Sequence, residues 1–220
     1  MQGHICLIPG LGVDERIFRY LTLAPEIKQT VIKWITPLPN EKLDQYASRL
    51  LPQIPATNNL ILLGVSFGGM LAIELAKLLK PTLVIIISSI KTRQELPGYY
   101  KPAAPLRLAY RLPIQWGKYL YPLQDYVFGV KTPAEKKLLH QIIGDMDIPF
   151  VRWALTQIAG WPNQTQIPNL LHLHGTHDKL FPVRYLRNFT PIPNGEHLMV
   201  VTQGAYISAL INQEIYRLKL

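Results

Sequence analysis

The stretch Leu60-Ile-Leu-Leu-Gly-Val-Ser-Phe-Gly-Gly69 runs an apolar segment straight into a serine with a glycine two positions away on either side, and a helical pattern begins directly after it. Only a very sharp strand-to-helix turn suits that order, because Gly64 and Gly68 mark the places where a Cβ would strike the neighbouring turn. Ser66 at the apex is expected in a strained backbone conformation with its hydroxyl lifted above the sheet. The first N–H groups of a helix have no partner within it, so the N–H of Phe67 is positioned to bond an oxyanion forming beside Ser66. A Gly-x-Ser-x-Gly string alone is a modest signal. Here residues 59–65 read as a buried strand, and Met70, Leu71, Ile73, Leu75, Ala76, Leu78 and Leu79 carry an apolar face at helical spacing. The bland alternative is a serine that merely occupies a tight turn.

Outward from this turn, apolar segments with strand character lie at 4–8, 30–36, 82–88 and 169–174, with a short one at 189–192. Helical patterns fall between them at about 14–22, 41–52, 68–79 and 182–188, and a last one runs from about 198 to 218. Strands alternating with helices predict an α/β fold, a three-layer αβα sandwich around a mostly parallel, roughly six-stranded sheet. The interval 91–163 interrupts the alternation. It holds many prolines, short amphipathic pieces at 105–112, 115–121, 133–144 and 149–159, and 11 of the chain's 21 aromatic residues. It reads as a helical insertion, leaving 1–90 and 164–220 as the core domain.

The 220 residues suit one such domain with an insertion, and 48% hydrophobic against 17% charged residues is a globular composition. No apolar run is long enough to span a bilayer, no secretory signal is visible, and Cys6 is the only cysteine. A cytoplasmic location is the expectation. The formal charge of +9 invites a nucleic-acid reading, but residues 91–137 supply a net +6 of it and no nucleic-acid-binding signature accompanies them. A solvated basic face is the simpler account.

An activated serine needs a base within hydrogen-bond reach and a carboxylate to orient that base. His4 opens the first strand and His140 lies in the insertion, so neither is expected near the turn. Pro193-Asn-Gly-Glu-His197 is a loop ending where the last helix begins, and loops at the carboxyl edge of a parallel sheet present such groups. Asp178, in Leu173-His-Gly-Thr-His-Asp178, follows a strand and lies between serine and histidine in the chain. Ser66, Asp178 and His197 form the expected triad, in the order Ser, Asp, His.

Ile8-Pro-Gly-Leu-Gly12, Gly64-Val-Ser-Phe-Gly-Gly69, His174-Gly-Thr-His-Asp178 with Phe181-Pro182, and Gly195-Glu-His197 together resemble the α/β-hydrolase fold superfamily. These pieces frame nearly the whole chain and leave only 91–163 unmatched. The resemblance implies that this interval is the family's variable helical cap and that the N–H of Leu11 is the second oxyanion donor beside that of Phe67. Pro9 stands where the family usually has histidine, which leaves the backbone donor in place. It also implies a reduced sheet of six strands, with the first strand of this chain inside the sheet where the family has its third. The implied activity is a cofactor-independent serine hydrolase acting on a small to medium carboxylic ester or thioester. Triad-bearing lyases, C–C bond hydrolases and haloperoxidase-like enzymes are the alternatives within the superfamily, and a ligand-binding protein with little turnover is the alternative outside catalysis.

Two other motifs compete with this reading. His172-x-His174-x-x-His177-Asp178 has metal-ligand character and is similar to the His-x-His-x-Asp-His motif of the metallo-β-lactamase fold, but Thr176 replaces the aspartate and only His197 remains downstream. Packing on a strand, with ring nitrogens satisfied by nearby backbone, is the expectation for His172 and His174. Gly10-Leu-Gly12 is not a dinucleotide loop, because Glu15 stands where the third glycine is needed. Neither metal nor cofactor is expected, and Cys6 within an apolar strand is expected to be a buried, unreactive thiol. The aromatic residues of 91–163 are candidates for an acyl pocket, and its basic residues for selecting substrates with a distal carboxylate or phosphate.

Overall fold

The computed structural model describes residues 3–103 and 120–220. Strands β1 (His4–Ile8), β2 (Lys28–Val31), β3 (Leu60–Val65), β4 (Leu83–Ile87), β5 (Leu170–Gly175) and β6 (Thr190–Ile192) form one sheet in the order β2-β1-β3-β4-β5-β6. Every neighbouring pair in it is parallel. Parallel neighbours need crossovers, which α1 (Leu43–Leu50) and α2 (Phe67–Leu79) supply on one face of the sheet, while α6 (Met199–Thr202) and α7 (Gly204–Arg217) cover the other. Between β4 and β5 the chain forms α3 (Tyr121–Phe128), α4 (Pro133–Gly144) and α5 (Ile148–Gly160).

Side chains alternate across each strand, and the two sets feed two cores. Cys6, Ile8, Leu60, Leu62, Val84 and Ile86 pack with α1, α2 and the aromatic side chains of α5. Ile5, Leu7, Ile61, Leu63, Ile85 and Ile87 pack with Ile207, Ile211 and Ile215 of α7. Burial on both faces explains why β3 and β4 read as unbroken apolar runs rather than alternating ones. Each fully buried Leu or Ile contributes about 1.5–3 kcal/mol through removal from water, which anchors the carboxyl ends of β3, β5 and β6 at one edge of the sheet.

Several boundaries depart from the sequence reading. The second strand spans Lys28–Val31 rather than 30–36. Its last rung is the bond from the Ile32 N–H to the Leu7 carbonyl, and beyond it the backbone turns to side chains: Lys33 N–H donates to Gln53, and Ile35 exchanges two bonds with the Tyr46 hydroxyl. Beyond that rung, Trp34 and Ile35 pack partly buried against the core without being in the ladder, so their apolarity reports burial and not pairing. The helices expected at 14–22 and 182–188 are short 3-10 segments, Glu15–Tyr20 and Val183–Tyr185, and that expected at 198–218 is broken at Gln203. In the insertion the pieces at 133–144 and 149–159 correspond to α4 and α5. Thr132 and Glu135 exchange capping bonds of 3.2 and 2.9 Å ahead of Pro133, the arrangement that starts α4 sharply. The helix α3 was not anticipated, and the expected pieces at 105–112 and most of 115–121 lie outside the described residues. No described helix is long and apolar enough to cross a membrane.

Candidate active site

Ser66 follows β3 directly and has φ 53° and ψ −119°, a conformation that non-glycine residues rarely adopt. The glycines around it are there for space. A Cβ on Gly64 would overlap the backbone of Gly68, and one on Gly68 would overlap the carbonyls of Ile8 and Pro9. The turn is further tied by Ser66 N–H to the Ile87 carbonyl at 2.8 Å and by the Ser89 hydroxyl donating to the Ser66 carbonyl at 2.7 Å. Ser89 was not singled out in the sequence. Its only signal there is a small polar residue just past an apolar run, on the strand that neighbours β3.

The three expected side chains meet. Ser66 Oγ lies 2.9 Å from His197 Nε2, and His197 Nδ1 lies 2.8 Å from Asp178 Oδ2. Each comes from a loop at the carboxyl edge of the sheet, after β3, β5 and β6. Asp178 Oδ1 accepts the N–H groups of Leu180 and Phe181, both at 2.9 Å, so the carboxylate plane is held by its own loop. Asp178 and His197 are buried. Burial alone would raise the Asp178 carboxyl, but the His197 charge and hydrogen bonds from His174 and His197 outweigh it and hold the group well below the usual carboxylate range. Asp178 thus accepts one imidazole N–H and two backbone N–H groups, with His174 Nε2 a further contact at 3.3 Å from Oδ2.

The loops bearing Asp178 and His197 are also clamped by contacts beyond these three side chains. Lys179 pairs with Glu196 and lies 4.6 Å from the Tyr126 ring centroid. Phe128 and Phe181 set ring edges against His197 from opposite elements, each with centroids 5.7 Å apart. Phe128 belongs to α3, so the insertion reaches His197 directly. On the other side, Trp34, Phe67, Phe150 and Trp153 form an aromatic cluster with centroid separations of 5.0 to 6.4 Å, joining the start of α2 to α5.

Phe67 opens α2, and Leu11 is half-buried in the loop after β1. That loop lies against the turn: a Cβ on Gly10 would sit 3.5 Å from that of Ser66. A cavity of about 240 Å³ opens between this loop and the α4–α5 turn, lined by Gly12, Val13, Trp34, Met146 and Phe150. Its charged lining is Asp14, Arg16, Asp145 and Asp147, with Arg16 paired to both Asp14 and Asp145. The charged lining of this cavity is thus acidic on balance, and Arg107, Arg111 and Lys118, among the basic residues expected to select acidic substrates, lie outside the described residues. A larger groove of about 750 Å³ lies between α1, α2 and the end of α5, and none of Ser66, Asp178 and His197 lines it.

The other histidines are engaged elsewhere. His4 bonds Thr30 at 2.8 Å between β1 and β2, His140 bonds Asp125 at 2.7 Å and stacks on Tyr121, and His177 is exposed. His172 and His174 share a face of β5, with ring nitrogens on the carbonyls of Ser89 and Phe181 at 3.0 and 2.9 Å, as strand packing predicts. They also meet each other and Asp178, which the sequence reading did not foresee. Among the described residues no group of three His, Cys, Asp or Glu is arranged to hold a metal ion. Cys6 is buried, and burial pushes its thiol up to about 11, which keeps it protonated and unreactive near neutral pH.

No protein-family model matches the sequence, and comparison with curated proteins finds no relative. Among solved structures, the chain is similar to a thermophilic esterase from Thermogutta terrifontis, with a TM-score of 0.73 and 17% identity over 99% of this chain and 91% of the other. It is similar to a hydrolase from Oleispira antarctica (TM-score 0.72, 15% identity, 100% and 92% covered) and to a bromoperoxidase from Bacillus anthracis (0.71, 16%, 98% and 92%). Such likeness concerns the path of the chain alone: the fold is an α/β-hydrolase fold.

Proposed function

We propose that the protein is a serine hydrolase that cleaves small to medium carboxylic esters or thioesters through an acyl-enzyme. The observation that carries this reading is the hydrogen-bonded line from Ser66 Oγ to His197 to Asp178, built on a turn that holds Ser66 at φ 53°. In this mechanism His197 Nε2 takes the Ser66 proton as Oγ attacks the carbonyl carbon, and Asp178 stabilises the resulting imidazolium. The N–H groups of Leu11 and Phe67 bind the tetrahedral oxyanion; one such donor is worth about 3–4 kcal/mol of transition-state stabilisation. The imidazolium then protonates the leaving alcohol or thiol. Water, deprotonated by the same nitrogen, attacks the acyl carbon and frees Ser66. No cofactor enters any of these steps. Residues 91–163 act as a cap, with Phe128 against the base and Met146 and Phe150 over the loop of Leu11. A cytoplasmic location belongs to the same proposal.

The test is labelling by a fluorophosphonate together with an ester and thioester panel of graded acyl length, on wild type, Ser66→Ala and His197→Ala. Stoichiometric labelling lost in Ser66→Ala, with kcat lowered by about 10⁴ to 10⁶ in both variants, is the expected result. Ser66→Ala retaining more than a tenth of the activity refutes the assignment. Labelling without turnover across the panel would instead favour a triad-bearing enzyme of another reaction class or a binding protein.

A further inference from the structure

Behind Asp178 lies a second line of buried polar groups that the hydrolytic steps do not use. Lys91, just past β4, is nearly enclosed: its ammonium pairs with Glu95 at 2.8 Å, donates to the Arg187 carbonyl and lies 3.4 Å from His172 Nδ1. His172 Nε2 lies 3.0 Å from the Ser89 carbonyl and 3.3 Å from His174 Nδ1. His174 Nε2 lies 2.9 Å from the Phe181 carbonyl and 3.3 Å from Asp178 Oδ2.

The direction of each bond follows from which groups can only donate or only accept. An ammonium has no lone pair, so His172 Nδ1 must be the acceptor and the proton of that ring sits on Nε2. Burial first, then His174 and Lys91, hold His172 well below the usual imidazole range, so the ring is neutral. Its Nε2–H points at the Ser89 carbonyl and at His174 Nδ1, which leaves His174 Nδ1 bare. The proton of His174 then lies on Nε2, facing two oxygens that can only accept. The opposite tautomer would set two N–H groups against each other and a lone pair against two acceptors. Every donor therefore runs from Lys91 toward Asp178.

We propose that His174 is a positioning residue whose Nε2–H, bonded to the Phe181 carbonyl and 3.3 Å from Asp178 Oδ2, is oriented through His172 by Lys91 and sets the pH dependence of Ser66 reactivity. The idea rests on the triad reading given above. A carboxylate whose charge is shared with one more nearby N–H is a weaker partner for an imidazolium, so removing the His174 N–H is the change that tests this coupling. The titratable or charged groups packed around Asp178 are His197, His174, His172 with Lys91 and Glu95 behind them, Lys179 with Glu196 beside it, and Tyr99 and Tyr100 across the cap edge.

The experiment is the pH dependence, between pH 5 and 9, of the rate at which a fluorophosphonate inactivates wild type, His174→Leu, His174→Gln and His172→Phe, with Ser66→Ala as the control. His174→Leu removes the donor, and its midpoint is expected to rise by about 0.5–1 pH unit. His174→Gln places an amide N–H near the lost Nε2–H and should restore the wild-type midpoint, a rescue that a purely structural role would not produce. His172→Phe keeps a ring beside Phe189 and removes only the orienting donor. It should shift the midpoint the same way by less, and it carries the test if His174→Leu does not fold. An unchanged midpoint in the folded variants overturns the proposal while leaving Ser66 as nucleophile. Failure of wild type itself to be labelled overturns the triad reading and this inference together.

Discussion

Replacement of Asp178 by Asn is the change whose effect the geometry fixes most closely. Asp178 Oδ1 accepts the N–H groups of Leu180 and Phe181, so in Asp178→Asn the amide oxygen is held on that side. The amide NH₂ then takes the place of Oδ2, where it meets the Nδ1–H of His197 and the Nε2–H of His174. Donor faces donor. His197 escapes by moving its proton to Nε2, but Nε2 is the atom 2.9 Å from Ser66 Oγ that accepts the serine proton in the proposed mechanism. Keeping the productive tautomer leaves two buried groups unbonded at about 1–3 kcal/mol each, which corresponds to a factor of about 30 to 10⁴ in rate. Loss of the charge opposite the imidazolium adds to this, so kcat is expected to fall by about 10³ to 10⁴. Asp178→Ala makes a contrasting control. It loses the charge but has no misdirected donor, so it should retain more kcat than Asp178→Asn, about 10²- to 10³-fold below wild type. It should also be the less stable variant, by about 2 kcal/mol, because Leu180 and Phe181 lose their acceptor. Ester turnover and thermal unfolding on the three proteins decide the matter. An Asn variant within tenfold of wild type removes Asp178 as the acid, and an Asn variant faster than a folded Ala variant removes the tautomer argument.

Other outcomes follow from single features. Because the Asp178 carboxyl is held below its unfolded value of about 3.9, its contribution to stability is complete above about pH 4 and is lost as pH falls; acid unfolding of wild type should be steeper there than that of Asp178→Asn. Ser88 has φ 50° and a buried hydroxyl with no partner among the described residues. Ser88→Gly removes both penalties and should stabilise by about 1 kcal/mol, read as a rise in Tm of about 2–4 °C. A fall in Tm would mean that the hydroxyl is used. Activity should survive dialysis against a chelator, and loss restored by zinc would overturn the metal-free mechanism.

That Ser66, Asp178 and His197 would meet was legible because each stands where a strand meets a loop, and local rules act there. Gly64 and Gly68 announce the turn, since nothing larger fits against the backbone of Gly68, Ile8 and Pro9. Asp178 and His197 announce themselves by chain order and by following β5 and β6. The strand expected at 30–36 ends early for a physical reason: hydrophobicity records that Trp34 and Ile35 are partly buried, and says nothing of whether the backbone of 33–35 bonds a neighbouring strand or the side chains of Gln53 and Tyr46. His172 and His174 show the complementary limit. Period-two spacing puts both rings on one face of β5, and carbonyl partners for them were expected, yet the contact with Lys91 depends on β4 lying beside β5 with Ile86 opposite His172. That register is set by the packing of the whole sheet. Groups that react must satisfy steric demands within a few residues of themselves, whereas the groups that orient them are recruited across strands, and only a structure places those side by side.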